Sequence, residues 1–418
     1  MRTLTQKLAS IEPDTLLVGI DLAANNNVAV VMNQQAKRLA RIRFSHTRTG
    51  YQQLRHRFAA LCQDHGAKKV LVAMEPTNHY WQLVAAYLEE HEVPYRLVNA
   101  YTVKKHREGD QLDRAKDDAR DAFTIADLLR TGKFTETQRL TAPYADLRRY
   151  SAYYEQLREE IGRQKIRLRQ AVGQTFPELE QVFADFTGQT ARALLQRHAA
   201  AHLIRQLSLS EFMSAVRAAH HGRRLHCTKL RQAYQLAQES IGMSDTEALQ
   251  WAIQACFQRL TQLQDQWAHV KMRLVQLLRT LSVAPSLLSL GLGEVTTARI
   301  VAEIGDPAAY TSARQLVKLA GIQPTPNQSG RKTNSPTPMS GKGRARLRTV
   351  LFFACLRLVQ TDAAFTAYYR RLQQRPHNPL TGLQAIGVLM NKLLHILWAL
   401  WRTNTAYDPA KWRAATGV

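Results

Sequence analysis

At 418 residues the chain has room for two or three domains, each with its own core. Lys and Arg number 57 against 33 Asp and Glu, and the resulting +24 points to a polyanionic partner, with nucleic acid first. Cys62, Cys227, Cys256 and Cys355 form no CxxC or Cys/His pattern, which argues against a zinc finger or a disulfide framework. Met1 to Asp14 is charged and has no apolar signal core, and no apolar run of membrane-spanning length stands out, so a soluble cytoplasmic protein without a membrane partner is expected.

Thr15-Leu-Leu-Val-Gly-Ile-Asp-Leu-Ala23 reads as a buried strand carrying one carboxylate, Asp21. A lone buried carboxylate costs several kcal/mol unless it is paired or binds a metal, although a strand ending at a turn with Asp21 solvated reads equally well from this stretch alone. Val28 to Met32 and Leu39 to Phe44 continue an antiparallel meander, and Thr49 to His65 turns helical. Lys69 to Pro76 is an apolar strand ending at Glu75, and a helix near Tyr80 to His91 and a short strand at Tyr95 to Asn99 follow. The order βββαβαβ, then α, is that of an RNase H-like fold, in which strands one and four are neighbours. Asp21 and Glu75 would then meet.

A helix beginning by about Asp118 places Asp118 and Asp121 at i, i+3 on one face, where like charges repel unless a cation sits between them. Asp117 reads better as an acid favouring the helix dipole. Four carboxylates in a basic chain suggest a site for Mg²⁺, which prefers oxygen ligands; two ions about 4 Å apart could clamp a phosphodiester.

From about Ala145 to Leu281 the pattern is helical, with an apolar stripe at Leu147, Tyr150, Tyr154, Leu157, Ile161 and Leu168 and a second long helix from about Thr246. Two long helices with short ones between them predict a coiled-coil arm suited to dimerisation, and the intervening segment, which holds His220, His221, Arg223, Arg224 and His226, could touch phosphate but reads equally well as a solvated, loosely folded insertion. Leu287 to Gly305 reads as a helix-hairpin-helix whose Gly291-x-Gly293 turn lets backbone amides approach a phosphate; an ordinary αα corner is the alternative. Ala320 to Arg348 is the longest breaker-rich basic stretch, holding Ser329, Ser335 and Ser340 among Arg331, Lys332, Lys342, Arg344, Arg346 and Arg348. A serine among cations could act as a nucleophile, while a phosphate-binding loop with incidental serines reads at least as well on these residues alone. Apolar helices follow, and Asn404 to Val418 reads as a tail.

In order, Gly19-Ile-Asp21, Met74-Glu75-x-Thr77, Lys116-x-Asp118-x-x-Asp121-Ala122, Ala302-Glu-Ile-Gly305, Ala320-Gly-Ile-x-Pro324, Gln328-Ser329-Gly330 and Ser340-x-x-Gly343 form a series. That series resembles the DEDD transposases of bacterial insertion sequences, the IS-one-ten family, to which the Piv-type DNA invertases are related. The resemblance implies a RuvC-like catalytic domain over 1–143, a helical coiled-coil region over 144–282 and a mostly α transposase domain over 283–418 bearing the hairpin and the serine. It also implies that Asp21, Glu75, Asp118 and Asp121 hold Mg²⁺, and that Ser329, with Ser340 as the fallback, forms a covalent phosphoserine. Further implied are donor and target DNA as substrates, a structured non-coding bridge RNA as guide, and a dimer assembling to a tetramer in which the two domains come together across protomers. A junction-resolving nuclease using water and a non-catalytic nucleic-acid-binding protein are the alternatives.

Overall fold

A computed structural model describes residues 3–76, 79–110, 117–135, 139–220, 224–244, 247–325 and 338–417. The chain divides into two compact units, Met1–Thr141 and Ala142–Val418.

In the first unit a short helix α1 (Leu4–Ala9) precedes β1 (Thr15–Asp21), β2 (Asn27–Met32) and β3 (Arg38–Phe44), which pair antiparallel as a meander. Next come α2 (Arg48–Asp64), β4 (Lys69–Met74), α3 (Tyr80–Glu90), β5 (Tyr95–Leu97), α4 (Ala100–Asp110) and α5 (Asp118–Arg130). The sheet order is β3-β2-β1-β4-β5, with β4 parallel to both β1 and β5. Strands one and four are therefore neighbours, as the sequence predicts, while α4 is an addition to that reading.

The central strands are covered on both faces, which is why β1 and β4 are apolar at nearly every position instead of alternating. Leu16, Val18 and Ile20 of β1 pack with Val70, Val72 and Met74 of β4 against α2 and α3 on one face. Leu17, Leu71 and Ala73 pack with Ile125, Leu128 and Leu129 of α5 on the other. Each fully buried aliphatic side chain of this kind contributes about 1.5–3 kcal/mol.

The second unit is built on two long helices, α6 (Tyr144–Thr175) and α11 (Glu247–Arg279), packed along their length, with α7 (Gln189–Arg197), α8 (Ala201–Arg205), α9 (Leu209–Ala219) and α10 (Cys227–Gln238) between them. At 1.5 Å per residue each long helix extends roughly 50 Å. Leu147 and Leu168 of the predicted stripe are buried at opposite ends of α6, in separate cores.

The short helices are not a loose insertion. Phe176, Phe183, Leu194, Phe212 and Leu230 form a dry core with Ile253, Phe257 and Leu260 of α11. Apart from α11, the contributing residues come from short helices and the turns between them, which show no sustained apolar period, so the core is assembled from residues dispersed in the sequence.

The other core gathers α12 (Ala284–Leu288), α13 (Glu294–Ile304), α14 (Ala313–Ala320), α15 (Ala345–Thr361), α16 (Ala363–Gln374), α17 (Gly382–Thr403) and α18 (Pro409–Thr416). Two sequence expectations fail here. The stretch after Asn404 is not a tail: Asp408 caps α18, and Trp412 stacks on Phe365 with ring centroids 5.1 Å apart. Tyr407 also donates its backbone N–H to Ser289 Oγ at 2.7 Å. The 22-residue α17 is long and apolar enough to cross a membrane by length and composition, contrary to the reading of the sequence. Its Ile386, Leu389, Leu393 and Leu397 are buried in this core, so the apolarity is that of a central packing helix.

Candidate active site

β1 and β4 are in parallel register with Ile20 opposite Met74, the last pair of the ladder. Asp21 ends β1 and Glu75 is the first residue beyond β4, so the two carboxylates leave the sheet at adjacent strand ends. Strand side chains alternate between faces, and the odd-numbered positions, Leu17, Leu71 and Ala73, lie on the face covered by α5. By the same alternation Asp21 and Glu75 belong to the α5 side.

α5 runs antiparallel to β1. Its first turns, at Ala119 and Ala122, pack on Val28 and Val30, which pair with Asp21 and Gly19; its later residues Ile125 and Leu128 pack against Leu17. Its N-terminus therefore opens beside the end of β1.

Asp117 is the N-cap, accepting the Ala119 N–H at 3.2 Å, and its carboxylate lies 3.7 Å from Arg41, in keeping with the helix-dipole reading. Asp121 is only 7% exposed, whereas Asp118, three residues earlier, faces solvent. The backbone thus brings all four predicted acids to one edge of the sheet. Among the described residues, however, no three Asp, Glu, His or Cys side chains stand close enough to hold a metal ion. The donor set is nonetheless all carboxylate oxygen, the chemistry Mg²⁺ prefers, on elements fixed relative to one another.

The loop after Asp21 is clamped by residues the sequence did not mark. Fully buried Asn27 accepts the Ala23 N–H at 3.0 Å through Oδ1 and donates to the Phe44 carbonyl at 3.2 Å. His46 Nε2 lies 3.0 Å from the Ala23 carbonyl, its Nδ1 lies 2.7 Å from the Tyr51 hydroxyl, and its ring stacks on Tyr80. A lone His at a strand end carries no sequence signal for such a role.

In the second unit, Gly291 and Gly293 have φ of 73° and 80°, so the Gly-x-Gly turn between α12 and α13 needs glycine at both positions. Ser329, Arg331 and Lys332 lie outside the described residues. The neck of their loop is described. Thr325 N donates to the Pro338 carbonyl and Ser340 N to the Gln323 carbonyl, each at 2.9 Å, as a short antiparallel ladder. Ser340 Oγ donates to the Gly321 carbonyl at 3.1 Å, a structural contact within the neck.

Below the neck, Gly343 lies so close to the Gly321 backbone that a Cβ there would come within 2.4 Å of the Gly321 nitrogen. Arg348 donates to the Ala320 carbonyl at 2.9 Å and Arg344 to the Glu303 carbonyl at the end of α13, while Lys342 and Arg346 are exposed. Arg148 of α6 reaches the same helix end, donating to the Ala302 and Glu303 carbonyls at 3.0 and 3.2 Å. Burial, then the adjacent Arg344 charge, pulls the Arg148 guanidinium down to about 10. Two cations at a helix C-terminus are favoured by its dipole. They tie the predicted Ala302-Glu-Ile-Gly305 motif to the base of the serine-bearing loop.

Comparison with known proteins finds two matching family models, the first of which runs past the first unit into α6. Residues 18–177, which include the four acids, match a transposase model for the DEDD domain of IS110 elements. Residues 288–370, which include Gly291, Gly293, the loop and its cations, match the model described as transposase IS116/IS110/IS902 family. An insertion element IS110 43.6 kDa protein of Streptomyces coelicolor is 27% identical over 303 residues, covering 70% of this chain and 72% of that protein. The pilin gene-inverting protein of Moraxella bovis is 31% identical over 119 residues, 28% of this chain and 36% of its own length. An insertion element IS900 42 kDa protein of Mycobacterium paratuberculosis is 32% identical over 128 residues, 30% of this chain and 31% of its own length. With both domain models matched in order, the chain belongs to the IS110 family of DNA transposases and recombinases.

Proposed function

We propose that this chain cuts and exchanges DNA strands for an insertion sequence, with the first unit as a RuvC-like domain whose Asp21, Glu75, Asp118 and Asp121 hold Mg²⁺. The observation that carries this reading is the parallel register of Ile20 and Met74, which sets two carboxylates at neighbouring strand ends beneath the N-terminus of α5. Mg²⁺, when bound, would polarise the scissile phosphate. The chain's own contribution is placement: β1 and β4 fix Asp21 and Glu75, and α5 brings Asp121 to the same edge.

In the second unit Ser329 is the nucleophile. Its oxygen bonds to phosphorus as the bond to the leaving sugar oxygen breaks, the serine proton is lost to a base or water, and the leaving oxygen takes up a proton. The phosphodiester energy is conserved in a phosphoserine for rejoining. The cations around the loop stabilise the developing charge. Engagement of Ser340 with the Gly321 carbonyl favours Ser329 over Ser340. Donor and target DNA are the substrates, a structured non-coding RNA serves as guide, and the active form is an oligomer, in line with the family resemblance.

Denaturing electrophoresis of the full chain incubated with guide RNA and DNA tests the nucleophile. Ser329→Ala should abolish covalent protein–DNA adducts while binding persists; adducts that survive would transfer the role to Ser340 or another serine.

A further inference from the structure

The cations of the arm and those of the carboxy-terminal core differ in one respect. On the arm, Arg149 pairs with Asp146 at 3.2 Å, Arg158 with Glu155 at 2.9 Å and Arg259 with Glu160 at 3.4 Å. In these pairs the charge is locally spent, and Glu155 is itself buried, where it also meets Arg299. On α14 and α17, Arg314, Lys318, Lys392 and Arg402 make no ion pair among the described residues. Neither helix contains an Asp or Glu. Partial burial, then the positive charges of Lys392 and Arg314, pull the His395 imidazole below its ordinary value, so these side chains share one field.

The cations are also arranged in rows. Arg314 and Lys318 are exposed one turn apart on α14, about 6 Å along the axis, and α14 packs on α17. Along α17, Lys392 to Arg402 spans about 15 Å, and Arg402 lies over the Trp398 ring at 5.7 Å. One DNA strand presents about four phosphates over that rise. The face adjoins the neck of the serine-bearing loop, because α14 leads directly into the neck and the Met339 methyl sits against the bare backbone of Gly387 on α17.

We propose that the α14–α17 face is a phosphate-binding track for duplex DNA, guiding the strand towards the loop between residues 325 and 338. The proposal rests on the reading of the chain as a DNA-acting recombinase. It goes beyond that reading by assigning the contact to Arg314, Lys318, Lys392 and Arg402, outside the loop and the acids. An uncompensated cationic row on rigid helices contacts backbone without reading bases, which suits an enzyme whose sequence choice lies elsewhere.

The test is the salt dependence of binding of the full chain to a duplex of arbitrary sequence. Each lost phosphate contact lowers the slope of log K against log salt by about 0.9. Arg314→Ala with Lys392→Ala should therefore flatten the slope by about 1.8, and Lys318→Gln alone by about 0.9. Arg217→Ala with Arg231→Ala, an equal charge change at exposed positions among the short helices between α6 and α11, should leave it unchanged. Equal slopes for the α14–α17 variant and the wild type would overturn the proposal, as would equal flattening by the control pair, which would reduce the effect to net charge. Flattening seen with an RNA hairpin but not with duplex DNA would also overturn it and give the face to RNA. A wild-type chain that binds no DNA would instead remove the recombinase reading itself.

Discussion

Gly19 of β1 lies directly beneath Ala122 of α5: a Cβ on Gly19 would fall 2.0 Å from the Ala122 carbonyl oxygen and 2.4 Å from the Ala126 nitrogen. Strand and helix backbones therefore touch, and that contact fixes the distance between Asp21, two residues along β1, and Asp121, adjacent to Ala122. Gly19→Ala must push α5 off the sheet. Overpacking of this kind costs about 1–3 kcal/mol, and more against rigid backbone. Urea unfolding should show the first unit destabilised by at least that amount, with strand cleavage lost even where the variant remains folded. A variant of wild-type stability and activity would show that α5 is not held in this position.

Trp412 provides the corresponding test for the second unit. It is 6% exposed and stacks on Phe365, which is fully buried. Trp412→Ala should destabilise the unit by about 3 kcal/mol, the usual cost of truncating a buried aromatic. An unfolding midpoint unchanged in urea would return the segment after Asn404 to the status of a tail.

Ser340 is expected to matter for the neck and not for chemistry. Ser340→Ala removes one hydrogen bond to the buried Gly321 carbonyl, worth about 1 kcal/mol, while that carbonyl keeps the Gly341 N–H at 3.1 Å. Amide exchange at Ser340 and Gly341 should quicken roughly fivefold, and covalent DNA adducts should still form. Loss of adducts at unchanged exchange rates would make Ser340 the nucleophile.

The sheet and its helices were legible because their signals are local. β1 and β4 are unbroken apolar runs with turn residues on either side, and their burial on both faces explains why they do not alternate. Asp117 was legible as an acid that favours the dipole of the following helix, and the structure makes it the N-cap of α5. The core formed by α7 to α10 was not legible, since Leu194 and Phe212 come from helices too short to register a period and Phe176 from the turn that ends α6. Trp412 was hidden for a similar reason: one aromatic residue in a short polar helix gives no stripe, and only its docking on Phe365 makes it core. The clamp on the Asp21 loop by Asn27 and His46 could not be read either, because it rests on two single polar residues whose partners, the Ala23 and Phe44 backbone and Tyr51, are set by tertiary packing and not by any sequence period. The i, i+3 spacing of Asp118 and Asp121 gave one face, but the burial of Asp121 alone comes from how deeply α5 packs over Gly19.

The central claim is that Asp21 and Glu75 act together in holding the metal that cuts DNA. The most direct measurement is strand cleavage by the full chain carrying Asp21→Asn or Glu75→Gln, titrated with Mg²⁺, beside duplex binding by the same proteins. Each substitution is expected to lower cleavage by at least about 100-fold at every Mg²⁺ concentration while binding is retained, on the scale of losing a principal electrostatic contact to the reacting group. Cleavage at the wild-type rate by either variant, or by the unaltered chain after chelation of all divalent ions, would contradict it.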